Sequence, residues 1–148
     1  LFSDRDTKNK DGMVLSLLRL EQHSDDTFDV VFSGAKQSIF IMDSDAEKLV
    51  KYRGDVKEIG SPHYDMIEFS QQTLELKSGS IIYMFSDGII DQNDVNRKKI
   101  GTPGLKNILS EALQLDIALQ KDFVTDKLEE HMAETTQRDD MTLLGMEL

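Results

Sequence analysis

Apolar positions in this chain recur first at period two and later at a helical period, which predicts a run of strands followed by helices. Residues 12–20 form a strongly apolar segment of strand length, and residues 21–26 read as the polar turn after it. Within residues 27–33, Phe28, Val30 and Phe32 share one face, the alternation of a half-buried strand. Gly34-Ala35 breaks that run, residues 38–42 predict the next strand, and Asp43-Ser44-Asp45 turns the chain. Residues 48–52 are a weaker, more polar strand suited to a sheet edge, and residues 53–65 read as a long loop. Residues 66–69 and 73–76 predict two short strands. They lead to residues 81–85, an unbroken apolar run bounded by turn residues, as in a strand buried on both faces. Short strands at close spacing with polar turns predict an antiparallel meander and not βαβ units.

The pattern changes after Asp91. Residues 92–99 are polar, end in the basic cluster Arg97-Lys98-Lys99, and read as a mobile flap. Thr102-Pro103 predicts a helix start, with Thr as N-cap and Pro at the first helical position. Leu105, Ile108, Leu109, Ala112 and Leu113 give that helix one apolar face, and a second helix over residues 119–133 turns Phe123, Val124, Leu128 and Met132 inward. A last strand follows Asp139-Asp140. The fold class is α+β: an antiparallel β-sandwich with an antiparallel helix pair on one face, in one domain over residues 1–148.

Composition narrows the chemistry. With 148 residues the chain can bury a core without staples, and with no cysteine it has no disulfide, thiolate metal site or cysteine nucleophile. No apolar run approaches a membrane span, and the first residues lack a signal-peptide layout. A net charge of −11 repels nucleic acid, anionic membrane and phosphorylated protein alike, so an acidic protein that handles phosphate is expected to use cations.

Two acidic devices stand at strand ends: Asp87-Gly88, with Asp91 four residues on, and Asp139-Asp140. A carboxylate at the mouth of a buried strand suits a hard cation, but Asp87-Gly88 taken alone reads first as a turn that ends the strand. Asp4, Asp6 and Asp11 lack the glycine and terminal glutamate of an EF-hand loop. Arg138 either pairs with a neighbouring carboxylate or contacts phosphate. His23, His63 and His131 fall in unrelated segments and read as surface residues, Gly34 and Gly60 as turn residues, and the seven methionines as core.

Taken in order, Asp11-Gly12-Met13, Phe32-Ser33-Gly34-Ala35-Lys36, Gly54-Asp55 with Ile59-Gly60, Phe85-Ser86-Asp87-Gly88-Ile89-Ile90-Asp91-Gln92, Lys99-Ile100-Gly101 and Arg138-Asp139-Asp140-Met141-Thr142 form one series. That series resembles the PPM-type (type 2C-like) metal-dependent serine/threonine phosphatases, in their bacterial branch of sporulation stage II E and sigma-regulatory phosphatases. The resemblance covers nearly the whole chain. It implies Asp87 and Asp139 as catalytic metal ligands, with Asp140 and Asp91 as further candidates, and two Mn²⁺ or Mg²⁺ ions. It also implies hydrolysis of phosphoserine or phosphothreonine by a metal-bridging water, which needs no protein nucleophile. Arg97, Lys98 and Lys99 are candidates for substrate docking. The implied partner is a phosphorylated regulatory protein of the anti-sigma-antagonist kind, met by a cytoplasmic module that in some members is attached to a membrane sensor.

The family's metal centre also draws acidic residues from a more N-terminal segment. The chain is therefore expected to be the C-terminal portion of such a domain, with Asp11-Gly12 in a structural role and catalysis dependent on the longer protein. The alternative is a non-catalytic interaction module that keeps the fold.

Overall fold

The computed structural model of the protein describes residues 12–60 and 68–148. Within them the order is β1 (Leu15–Ser24), β2 (Thr27–Ala35), β3 (Ser38–Met42), β4 (Val50–Arg53), β5 (Gln72–Lys77), β6 (Ile81–Phe85), α1 (Asp87–Asp91), α2 (Gly101–Ala112), α3 (Ile117–Met132) and β7 (Leu143–Glu147). Two antiparallel sheets result, with strand orders β1-β2-β5 and β4-β3-β6-β7. Hairpins join β1 to β2 and β3 to β4, while β2–β5 and β3–β6 pair across longer connections. The chain therefore changes sheet between β2 and β3, which a simple meander does not.

Alternation in the two central strands builds both cores. Ile39 and Ile41 of β3 and Ile82 of β6 face Val30, Phe32 and Leu76 between the sheets. The intervening Phe40, Tyr83 and Phe85 face the other way, against Leu105, Leu109 and Ala112 of α2 and Val124 of α3. Phe40 and Phe85 stack with ring centroids 5.4 Å apart. Each of these large side chains stabilises the fold by about 1.5–3 kcal/mol on burial. The layers run sheet, sheet, helix pair, and β6 is buried on both faces as its unbroken apolar run predicts.

One polar pair crosses the helical layer. Tyr83 Oη donates to Gln120 Oε1 at 2.5 Å, and Gln120 Nε2 donates to the Leu115 carbonyl at 3.0 Å, fixing α3 against β6. Burial pushes the Tyr83 hydroxyl up to about 12, against the smaller opposing effect of its bond to Gln120.

Several local expectations change. β1 runs on through the residues expected to turn, because Glu21 and Gln22 pair with Asp29 and Phe28 along an edge exposed to solvent; the turn is confined to Asp25 and Asp26. Gly34 stays inside β2, where a Cβ would stand 2.5 Å from the Gln37 carbonyl oxygen and 3.1 Å from Gly54 Cα. It serves a backbone contact, whereas Gly60, with φ of 83°, serves a turn. Met13 is 41% exposed at the end of the sandwich and is not a core residue. Of the strand expected over 66–69, Glu68 and Phe69 are not in a strand, and the rest lies outside the described residues. α2 starts at Gly101, with Pro103 inside its first turn.

Candidate metal centre

The end of β6 is where the acidic motifs gather. Ser86 leaves the strand in extended conformation, and Asp87 opens α1, a five-residue helix that replaces the simple turn expected there. Asp87 is exposed, whereas Gly88 and Ile89 are buried, so the helix presents its first carboxylate to solvent and its next two residues to the protein.

What Gly88 is buried against explains the motif. A Cβ at this position would lie 2.3 Å from the carbonyl oxygen of Asp140 and 3.3 Å from the carbonyl carbon of Asp139. The tandem aspartates thus run directly past the start of α1, and only glycine permits the approach. Ser86 closes the same contact. Its backbone N–H donates to the Thr142 carbonyl at 2.9 Å, its Oγ donates to the Asp140 carbonyl at 2.8 Å, and it accepts from Thr142 N–H at 2.9 Å. Asp139 Oδ1 accepts the N–H of Asp140 at 2.8 Å, and Gln137 Nε2 donates to the Asp139 carbonyl at 2.8 Å. Asp87, Asp139 and Asp140 all remain exposed.

The other expected residues fall nearby in different roles. Asp91 ends α1 in an ion pair with Lys99, Oδ1 to Nζ 2.8 Å. The segment expected to be a flap is a tight hairpin, with Asn93 and Lys99 bridged at its base. Inside it, Asp94 Oδ1 accepts from the N–H groups of Lys98 and Asn96, each at 2.8 Å, and the bond from Lys98 above all holds the Asp94 carboxyl below the usual carboxylate range. Arg97, at φ 63°, and Lys98 are exposed on this turn, while Lys99 is engaged with Asp91. Arg138 directs its backbone N–H to Gln92 Oε1 at 3.2 Å. Of the histidines, His23 pairs with Asp29, and His131 is half-buried with Nε2 3.3 Å from the Gln92 carbonyl; His63 lies outside the described residues. So do Asp4, Asp6 and Asp11.

The sequence motif contains Ser86 and Gln92 but does not reveal the role of either. Both belong to the Asp87 motif, but nothing in a hydroxyl or amide side chain announces which distant backbone it will hold.

The donors fit a hard divalent cation in kind, since Asp87 and Asp139 offer exposed carboxylate oxygens at adjoining backbone positions. They do not complete a coordination shell: among the described residues, no group of three or more histidine, cysteine, aspartate or glutamate side chains is placed to hold a metal. No helix among those residues is long and apolar enough to cross a membrane.

Comparison with known proteins bears on the family and the fold. The family model for stage II sporulation protein E (SpoIIE) matches residues 4–148. The SiaA-PP2C domain of Pseudomonas aeruginosa superposes with a TM-score of 0.71 at 24% identity, over 82% of this chain and 50% of that one. The manganese-presoaked phosphatase domain of SpoIIE from Bacillus subtilis gives a TM-score of 0.57 at 18% identity, over 91% of this chain and 56% of that one. The catalytic domain of the serine/threonine phosphatase PstP, solved with two manganese ions, gives 0.50 at 14% identity, over 89% and 57%. The chain thus spans about half the length of these structures. No curated protein matches. Because that family model spans residues 4–148, the chain belongs to the stage II sporulation protein E family, and its superpositions give it the fold of type 2C phosphatase domains.

Proposed function

We propose that this chain supplies the C-terminal part of a metal-dependent phosphatase that hydrolyses phosphoserine or phosphothreonine on a bacterial regulatory protein. The observation that carries the reading is the contact of Gly88 with the Asp139-Asp140 backbone, which sets two exposed carboxylate-bearing segments side by side at one end of the sandwich. Asp87 and Asp139 would hold the cations, with Asp140 beside them. Two Mn²⁺ or Mg²⁺ ions would supply an activated water between them and neutralise phosphoryl oxygens. The chain's own residues fix the carboxylates. Ser86 and Gly88 hold the backbone of residues 139–142 against α1, and exposed Arg97 and Lys98 offer positive charge to a phosphoprotein on a surface of net charge −11. The substrate in this reading is a phosphorylated protein of the anti-sigma-antagonist kind, met in the cytoplasm, and the membrane has no part in the chemistry.

A second reading is a non-catalytic interaction module that keeps the phosphatase fold without turnover. Phosphate release from a phosphoserine regulatory protein by the full-length natural protein, with and without Mn²⁺, separates the two. Manganese-dependent turnover that Asp87→Asn and Asp139→Asn each remove supports the enzyme. A folded, full-length protein that binds the phosphoprotein but releases no phosphate supports the module.

A further inference from the structure

Gln92 is a buried polar residue, as are Ser80 and Gln120 among the described residues. Its side chain is fully excluded from solvent, and an amide in that position is costly unless its polar atoms are matched. They are matched by one stretch of backbone above all. Oε1 accepts the N–H of Arg138 at 3.2 Å, while Nε2 lies 3.1 Å from the Thr136 carbonyl, 3.2 Å from the Asn93 carbonyl and 3.4 Å from Thr135 Oγ1. The Gln92 carbonyl accepts from Ile100 N–H at 3.0 Å, so the same residue also holds the approach to α2.

The stretch it grips is the one that carries the tandem aspartates. Between the end of α3 at Met132 and the start of β7 at Leu143 no regular element fixes the chain. Together with the bond from Thr135 Oγ1 to the Asn93 carbonyl, side chains from the two ends of α1 hold it: Ser86, at the near end, bonds Asp140 and Thr142, and Gln92, at the far end, bonds Thr136 and Arg138. Asp139 lies between these two attachments, one residue beyond Arg138 and one before Asp140.

We infer that Gln92 is a positioning residue for the cation site, acting through Arg138 N–H to set where the Asp139 carboxylate stands relative to Asp87. The inference rests on the reading of Asp87 and Asp139 as cation ligands. A methionine of the same length would fill the space without gripping the backbone, and residues that orient a ligand typically change metal affinity by about 10–100-fold when lost.

The test reads cation binding directly and does not use turnover. In isotope-labelled full-length protein, Mn²⁺ is titrated while the paramagnetic broadening of the Asp87, Gly88, Asp139 and Asp140 amide signals is followed. Gln92→Met should raise the Mn²⁺ midpoint at least about tenfold. Val124→Ala, which opens the core under α3 and touches none of these groups, should lower the melting temperature and leave the midpoint in place. Where Gln92→Met does not fold, Gln92→Asn, which keeps both polar groups but draws them back by one methylene, should shift the midpoint in the same direction. An unchanged midpoint in a folded Gln92 variant, or an equal shift in Val124→Ala, overturns the inference and leaves the metal site standing. Wild-type protein whose four amides do not broaden overturns the metal reading, and this inference with it.

Discussion

Gly88 and Asp140 meet backbone to backbone: a single added carbon on Gly88 would come within 2.3 Å of the Asp140 carbonyl oxygen. The contact cannot be relieved by rotating a side chain, because both partners are main chain. Gly88→Ala must therefore push residues 139–142 away from α1 or tilt α1 itself. Overpacking of this kind costs about 1–3 kcal/mol. The expected outcome is a lower melting temperature together with loss of manganese-dependent phosphate release by the full-length protein. A variant with wild-type stability and turnover would show that the acidic segments do not need this spacing.

Asp87→Asn and Asp139→Asn should behave in the opposite way with respect to stability. Both side chains are exposed, and substitutions of that kind usually stay within about 0.5 kcal/mol. Activity should fall by more than the roughly 10–100-fold seen when a residue that only supports a metal ligand is lost. Thermal melts beside steady-state phosphate release check both halves of the prediction. Loss of folding in either variant, or retained activity in both, would remove these residues from the site.

The difference between those two kinds of residue also marks how far the sequence could be read. β3 and β6 were legible to the residue because alternate side chains enter two different cores, leaving an unbroken apolar run with sharp polar ends. The inward residues of α2 and most of those in α3 were legible for the same reason at helical period. The outer part of β1 was not, since Glu21 and Gln22 are exposed and their pairing leaves no apolar trace. α1 is five residues long, too short to show a period. At the site, Asp87 and Asp139 stood out as acids at strand ends. The approach of their segments did not, because it is made by the missing side chain of Gly88, the hydroxyl of Ser86 and the amide of Gln92, each bonding or touching main-chain atoms that every residue carries.

Lys99 and Asp91 allow a sharper question about cations. Their ion pair is more than half exposed on both sides, so it contributes about 0–1 kcal/mol, and Lys99→Ala should barely move the melting temperature. A cation that uses Asp91 must compete with the ammonium of Lys99 for its carboxylate. If Asp91 joins the site, Lys99→Ala lowers the Mn²⁺ concentration needed for half-maximal activity, and Asp91→Asn raises it. If neither variant shifts that concentration, Asp91 serves only to tie the hairpin to α1.

Tyr83 supplies a test of the fold that does not use the carboxylates. Its hydroxyl is pushed up to about 12 in the folded protein by burial, against an ordinary value of about 10 in the unfolded chain. Below pH 10 the group is neutral in both states and contributes no pH dependence. Between pH 10 and 12 the unfolded chain loses its proton first, so the unfolded state binds fewer protons and stability falls as pH rises. The full effect is about 2–3 kcal/mol at most, from two pH units at about 1.4 kcal/mol each. Tyr83→Phe removes this ionisation but leaves Gln120 Oε1 without its donor inside the helical layer, which costs about 1–2 kcal/mol at neutral pH. Denaturant unfolding from pH 8 to 11.5 should therefore show the variant less stable than wild type at the start of the range. The gap should then narrow as pH rises, because only the wild type carries the tyrosine's alkaline loss. A gap that stays constant across the range would mean that Tyr83 ionises as readily in the folded protein as in the unfolded chain.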